Sequence, residues 1–122
     1  MTSLSVIIPA YNEEKSLAKH LPNVIAFCKQ KGYKLIVVND GSKDGTAKVL
    51  SEFSKEPVLK VIHNKLNTGY GGAIKKGIRS AETDFVVTID ADGQHNLDDV
   101  EKLFKKAVET DVDMVVGNRG KS

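Results

Sequence analysis

Short apolar runs rich in valine and isoleucine punctuate the chain at Leu4–Ile8, Leu35–Val38, Val58–Ile62, Phe85–Ile89 and Met114–Val116. Runs of this length without polar alternation, bounded by turn residues, predict strands buried on both faces. Between them apolar residues recur at helical spacing: Leu17, Leu21, Val24 and Cys28, then Ala47, Leu50 and Phe53, then Ala73, Ile74 and Ile78. The last such stripe is Leu97, Val100, Leu103, Phe104, Ala107 and Val108. The first helix is predicted to open behind Asn12 and stop at Gly32, with a kink or restart at Pro22. The last opens behind Asn96, with Asp99 near its third position. Such alternation predicts an α/β fold, a mostly parallel sheet with helices on both faces reached by right-handed crossovers. In such sheets ligands sit beyond the carboxyl ends of the strands, so the loops there carry the candidate chemistry.

The fourth strand runs into Asp90-Ala91-Asp92-Gly93-Gln94-His95. Alternate residues of an extended chain point the same way, so Asp90 and Asp92 leave the strand end together and can share a cation. Gly93 then lets the backbone turn. Two carboxylates suit Mg²⁺ or Mn²⁺, which fills its other positions with water and phosphate oxygens. Structural zinc lacks a Cys/His set here. The everyday alternative, capping of the next helix, is already supplied by Asn96. After the first strand comes Pro9-Ala10-Tyr11-Asn12-Glu13-Glu14, and after the second Asn39-Asp40-Gly41-Ser42. One end of the sheet thereby collects Tyr11, Glu13, Asp40, Asp90, Asp92 and Gln94, a set whose carboxylates repel one another unless a cation is bound. The segment Asn67-Thr68-Gly69-Tyr70-Gly71-Gly72 begins like a dinucleotide fingerprint but has Ile74 at the third glycine position and follows the third strand. Its expected task is close packing of helix on sheet, with phosphate cradling second.

At 122 residues, with 40% hydrophobic and 28% charged residues, the chain has the composition of one globular domain. A net charge of +2 is too mild for nucleic acid, and the lysines at Lys75, Lys76, Lys102, Lys105 and Lys106 read as solvated helix faces with at most a weak pull toward anionic lipid. Cys28 stands alone, which rules out an intrachain disulfide. No apolar run approaches a membrane span or a signal h-region, which predicts a cytoplasmic chain or one at the cytoplasmic face of a membrane. His95 stands beside the acidic pair without a visible orienting partner and is read as a turn residue or one supporting the site from behind, and His20 and His63 as structural or exposed.

Taken in order, Val6–Glu14, Val37–Ser42, Asn67-x-Gly69-x-Gly71 and Asp90–His95 resemble the motifs of family 2 glycosyltransferases with the GT-A fold. The Asp-Ala-Asp-Gly-Gln form is most similar to the polyprenyl-phosphate sugar transferases of the dolichyl-phosphate mannose or glucose synthase type. The resemblance implies a Rossmann-like nucleotide-sugar-binding fold and a metal-dependent hexosyltransferase. By position it implies that Pro9, Tyr11 and Glu13 line the nucleobase pocket and that Val38 and Asp40 contact the base, Asp40 accepting a ring N–H. Asp90 and Ala91 would face ribose and diphosphate, and Asp90, Asp92 and Gln94 would hold Mg²⁺ or Mn²⁺, with Asp90 and Asp92 the catalytic pair. Arg119 resembles a position near the donor phosphates. Read without the resemblance, Tyr11 is a core or capping tyrosine, Asp40 an Asx turn and Arg119 part of a solvated terminus.

The chemistry implied is displacement of a nucleoside diphosphate from a sugar, GDP- or UDP-linked, toward an acceptor such as a polyprenyl phosphate. Residues 1–122 are then expected to be the donor-binding domain, the N-terminal part of a longer enzyme. Two alternatives stand beside this reading: a non-catalytic nucleotide-sugar-binding module, and a nucleotidyltransferase, whose glycine-rich loop after strand one is not matched by Pro9–Asn12.

Overall fold

The computed structural model describes residues 3–92, 97–110 and 114–116. The elements follow in the order β1 (Leu4–Ala10), α1 (Glu14–Lys31), β2 (Lys34–Asp40), α2 (Thr46–Ser51), β3 (Leu59–Asn64), α3 (Gly69–Ser80), β4 (Phe85–Thr88), α4 (Leu97–Thr110) and β5 (Met114–Val116). The strands form one parallel sheet in the order β3-β2-β1-β4-β5. Leu4, Val6, Ile8 and Ala10 of the central strand join α1, α2 and α4 in the larger core. Ile7, on the opposite face, meets Ile36, Val38, Val86 and, from α3, Ala73. The apolar runs of β1, β2 and β4 are thus the strands covered on both sides, whereas the edge strand β3 is only partly buried.

Three expectations need correction. Helix α1 runs unbroken through Pro22. The lost N–H is outweighed because Leu17, Leu21, Val24, Ile25 and Cys28 bury one continuous stripe along the sheet. Gly32 ends it as expected, in the left-handed region at φ 76°. Phe53 lies beyond α2, in the turn that follows. The crossovers do not all share one hand. Helix α4 packs on the same face as α1, yet β5 steps away from β4 in the direction opposite to the step from β1 to β2. Its unit therefore has the opposite hand to the β1–α1–β2 unit. Aromatic packing accounts for the placement: Phe104 stands edge-to-face with Tyr33 at 5.5 Å and with Phe85 at 5.6 Å.

Strands β1 and β2 also run further than the apolar runs suggest, pairing Pro9 with Val38, Ala10 with Asn39, and Asp40 with Asn64. Proline in a central strand normally costs a ladder bond. Here it fixes where the ladder stops. The β1–β4 pairing reaches Ile7 opposite Thr88, and the Ile89 N–H still donates to the Ile7 carbonyl at 3.0 Å. The next donor on that side would be the N–H of residue 9, which proline lacks. The chain after Ile89 is thereby released toward the acidic turn.

Candidate functional site

Two loops at the carboxyl end of the sheet are stitched to each other. Asn12 occupies the left-handed region at φ 53°, which asparagine tolerates better than most residues. Its N–H donates to Ser42 Oγ at 2.9 Å, and its Oδ1 accepts the Lys43 N–H at 2.8 Å. Helix α1 is therefore not capped by Asn12. Its first donors go to the neighbouring loop, Glu13 N–H to Thr46 Oγ1 at 3.0 Å and Glu14 N–H to Asp44 Oδ2 at 3.3 Å. Glu14 Oε1 returns the favour by accepting the Gly45 N–H at the start of α2, at 3.0 Å. Each helix start is held by side chains from the other loop, which fixes Tyr11 and Glu13 relative to β2.

Asp40 ends β2 and is 2% exposed. Its carboxylate does not form an Asx turn; it reaches across to the β3–α3 connection. Oδ1 accepts from Asn64 Nδ2 at 2.8 Å and Thr68 Oγ1 at 2.7 Å, and both oxygens share the Thr68 N–H at 3.0 Å. Burial opposes its ionisation, but the hydrogen bonds from Asn64, Thr68 and Gly69 outweigh it and hold the carboxyl below its usual range. Asn67 Nδ2 donates to the Asp40 carbonyl at 3.2 Å. Gly41, at φ 74°, permits this approach: a Cβ there would stand 2.6 Å from the Leu66 carbonyl carbon. The turn-forming side chain is Asn39, whose Oδ1 accepts the Ser42 N–H at 3.3 Å.

Pro9, Tyr11 and Glu13 from the first connection, Asp40, Asp90 and Ala91 meet around one cleft of about 220 Å³. Asn67, Gly69, Tyr70 and Ala73 close its other wall. Tyr70 was not singled out from sequence, although an aromatic residue at the first turn of a helix following a glycine was the available signal. Gly69, at φ 84°, and not Gly71, supplies the special backbone conformation, while close packing of helix on sheet falls to Gly77, where a Cβ would lie 2.6 Å from Ile7 Cγ2. Val38 is fully buried under α3 with Ile7 and Ala73 and does not line the cleft. Gln94, His95 and Asn96, with Arg119, lie outside the described residues.

Asp92 is exposed and is not part of the cleft lining, but its charge reaches the site. The Glu13 carboxyl is raised above its ordinary value, first by burial and then by the charges of Asp92, Asp90 and Asp44, against a lowering hydrogen bond with Ser16. Of the acids expected to gather here, Asp90 and Asp92 thus bear on Glu13. Among the described residues no group of three His, Cys, Asp or Glu side chains could hold a metal on its own. A cation here would take fewer protein ligands and complete its sphere with water and phosphate, the coordination Mg²⁺ and Mn²⁺ favour. No helix among the described residues is long and apolar enough to cross a membrane.

The sequence profile of glycosyl transferase family 2 matches residues 5–122. A dolichyl-phosphate beta-glucosyltransferase of Dictyostelium discoideum is 36% identical over 129 aligned positions, covering 95% of this chain and 39% of the relative. Among solved structures, a mannosyltransferase from Pyrobaculum calidifontis in complex with GDP-Man and Mn²⁺ superposes with a TM-score of 0.65 at 26% identity, covering 73% of this chain and 27% of that one. Residues 1–349 of TarS from S. aureus, in complex with UDP-GlcNAc, superpose with a TM-score of 0.69 at 27% identity, covering 88% of this chain and 32% of that one. The chain spans between a third and a half of the length of the curated relatives it matches. Its fold is that of the GT-A glycosyltransferases. On the family profile and these likenesses together, the chain belongs to glycosyl transferase family 2.

Proposed function

We propose that this chain is the donor-binding domain of a longer metal-dependent glycosyltransferase that takes a nucleoside-diphosphate sugar, GDP- or UDP-linked, and transfers the sugar to an acceptor of the polyprenyl-phosphate class. The observation that carries the proposal is the convergence of three strand ends on one cleft, with Asp40 buried at one side and Asp90 and Ala91 at the other. In this reading Pro9 and Tyr11 cover the base, Asp40 accepts its ring N–H, and Asp90 and Ala91 face ribose and diphosphate. A cleft of about 220 Å³ is smaller than a pocket for a whole drug-sized ligand, and suits the nucleoside portion, with the diphosphate leading out toward Asp92.

Asp90 and Asp92 would hold the cation, with Gln94 beside them. Bound there, a divalent ion supplies Lewis-acid stabilisation of the departing diphosphate. Glu13, raised in pKa by burial and then by these acids, would be relieved by a positive charge placed between them. A phosphate acceptor is anionic at neutral pH and needs no general base. The relatives named as dolichyl-phosphate and undecaprenyl-phosphate sugar transferases support that acceptor class. Membership of family 2 favours this reading over a nucleotidyltransferase.

A thermal-shift panel of nucleoside diphosphates and nucleotide sugars, with and without Mn²⁺, tests it. Ligand at 100 times its Kd adds roughly 2.7 kcal/mol of stability, so a metal-dependent rise in Tm is expected with diphosphates and not with the free nucleosides. No shift with any nucleotide in Mn²⁺ contradicts it.

A further inference from the structure

We propose that Thr68 and Asn64 are specificity-determining residues that leave Asp40 a single accepting oxygen for the ligand, and that the cleft therefore selects uracil over guanine. This rests on the nucleotide-binding reading above. A carboxylate offers about four lone-pair sites, two on each oxygen. On Asp40 both sites of Oδ1 are taken, by Asn64 Nδ2 at 2.8 Å and Thr68 Oγ1 at 2.7 Å. Oδ2 carries a share in the Thr68 N–H at 3.0 Å, and the Gly69 N–H, which donates to Asn67 Oδ1 at 3.1 Å, adds only the smallest of the pulls on this carboxylate. The filled oxygen is held firmly. Asn64 is the register partner of Asp40 in the β2–β3 ladder, and Asn67 Nδ2 ties the Asp40 carbonyl to the same connection. Gly72 keeps room for the Thr68 side chain, since a Cβ at 72 would lie 2.6 Å from Thr68 Oγ1.

Base chemistry follows from that asymmetry. Guanine presents its N1–H and 2-amino group side by side and engages a carboxylate best through both oxygens. Uracil presents one N3–H between two carbonyls and needs one. Hypoxanthine keeps the N1–H of guanine without the amino group, so it isolates the contested contact. Adenine and cytosine have no ring N–H on this edge. A guanine amino group facing the filled Oδ1 would be buried without its partner, and polar groups left unpaired in a site are what produce strong discrimination.

Calorimetry of the chain in Mn²⁺ with UDP, GDP, IDP, CDP and ADP decides the matter, and the unsubstituted protein suffices for the first reading. UDP should bind tightest, with GDP weaker than UDP by about tenfold or more and weaker than IDP. Thr68→Val removes one donor from Oδ1 and should shrink the UDP-to-GDP ratio several-fold, while Thr68→Ser, which keeps the hydroxyl, should preserve it. A ratio between bases is not moved by destabilisation alone. GDP binding as tightly as UDP, or more tightly than IDP, overturns the inference. Equal binding of all five nucleotides overturns it and leaves the diphosphate reading standing, whereas no binding by any of them removes both.

Discussion

Asp40 concentrates the residue-scale account, because its value lies in partners 24 and 28 positions away along the chain. Its carboxyl is depressed in the folded state, so the stability it contributes is fully present above the unfolded carboxylate value of about 3.9 and is lost as pH falls through the lower native value. Asp40→Asn should cost roughly 1–3 kcal/mol at neutral pH by leaving buried donors facing an amide, and that difference should narrow below about pH 4. Chemical denaturation across pH reads it; a difference constant down to pH 2 would contradict the assignment. Glu13 has the opposite sign. Its pKa is raised, so ionisation costs stability above the native value, and nothing is lost below the unfolded value of about 4.3. Glu13→Gln should therefore melt at a higher temperature than the parent at pH 7 without metal, with the advantage fading in acid and shrinking when Mn²⁺ is added. Identical melting profiles for the two proteins would show that the acids do not repel as described.

At the scale of elements, α3 approaches β1 closely through Gly77. Gly77→Ala would place a methyl 2.6 Å from Ile7 Cγ2, and overpacking of this kind should lower stability by about 1–3 kcal/mol in urea denaturation. Gly71→Ala, where the space is open, is the control and should be tolerated. Much of the layer structure was readable because buried parallel strands show as apolar runs, and Leu17, Leu21, Val24 and Cys28 declare their helix by spacing. What escaped the sequence depends on distant partners. Asn12 looks like a cap, but the capping atoms belong to Asp44 and Thr46. Pro22 looks like a break until the buried stripe on both sides of it is seen. Val38 matches a motif position, yet it lies within the strand under α3, while Asp40, two residues on along the same face, reaches the strand end where the cleft opens. Thr68 carries no motif signal of its own, and its bonds to Asp40 join positions 28 residues apart in the chain.

For the whole molecule, the fold assembles the proposed nucleotide site from pieces that individually mean little. Proline at residue 9 ends one ladder, reciprocal caps lock two loops, and the Asp40 network locks a third, so the wall of the cleft proposed to take the base is preorganised before any ligand arrives. The diphosphate side is assigned to Asp90 and Asp92, whose charges meet at Glu13. That division makes the metal contribution separable from the base contribution. The most direct measurement is titration calorimetry of a nucleoside diphosphate against the parent and Asp92→Ala, each with Mn²⁺ and with chelator. The parent should bind more tightly with Mn²⁺, and Asp92→Ala should lose that gain while retaining its metal-free affinity. Unchanged affinity and unchanged Mn²⁺ dependence in Asp92→Ala would contradict the metal-assisted donor site.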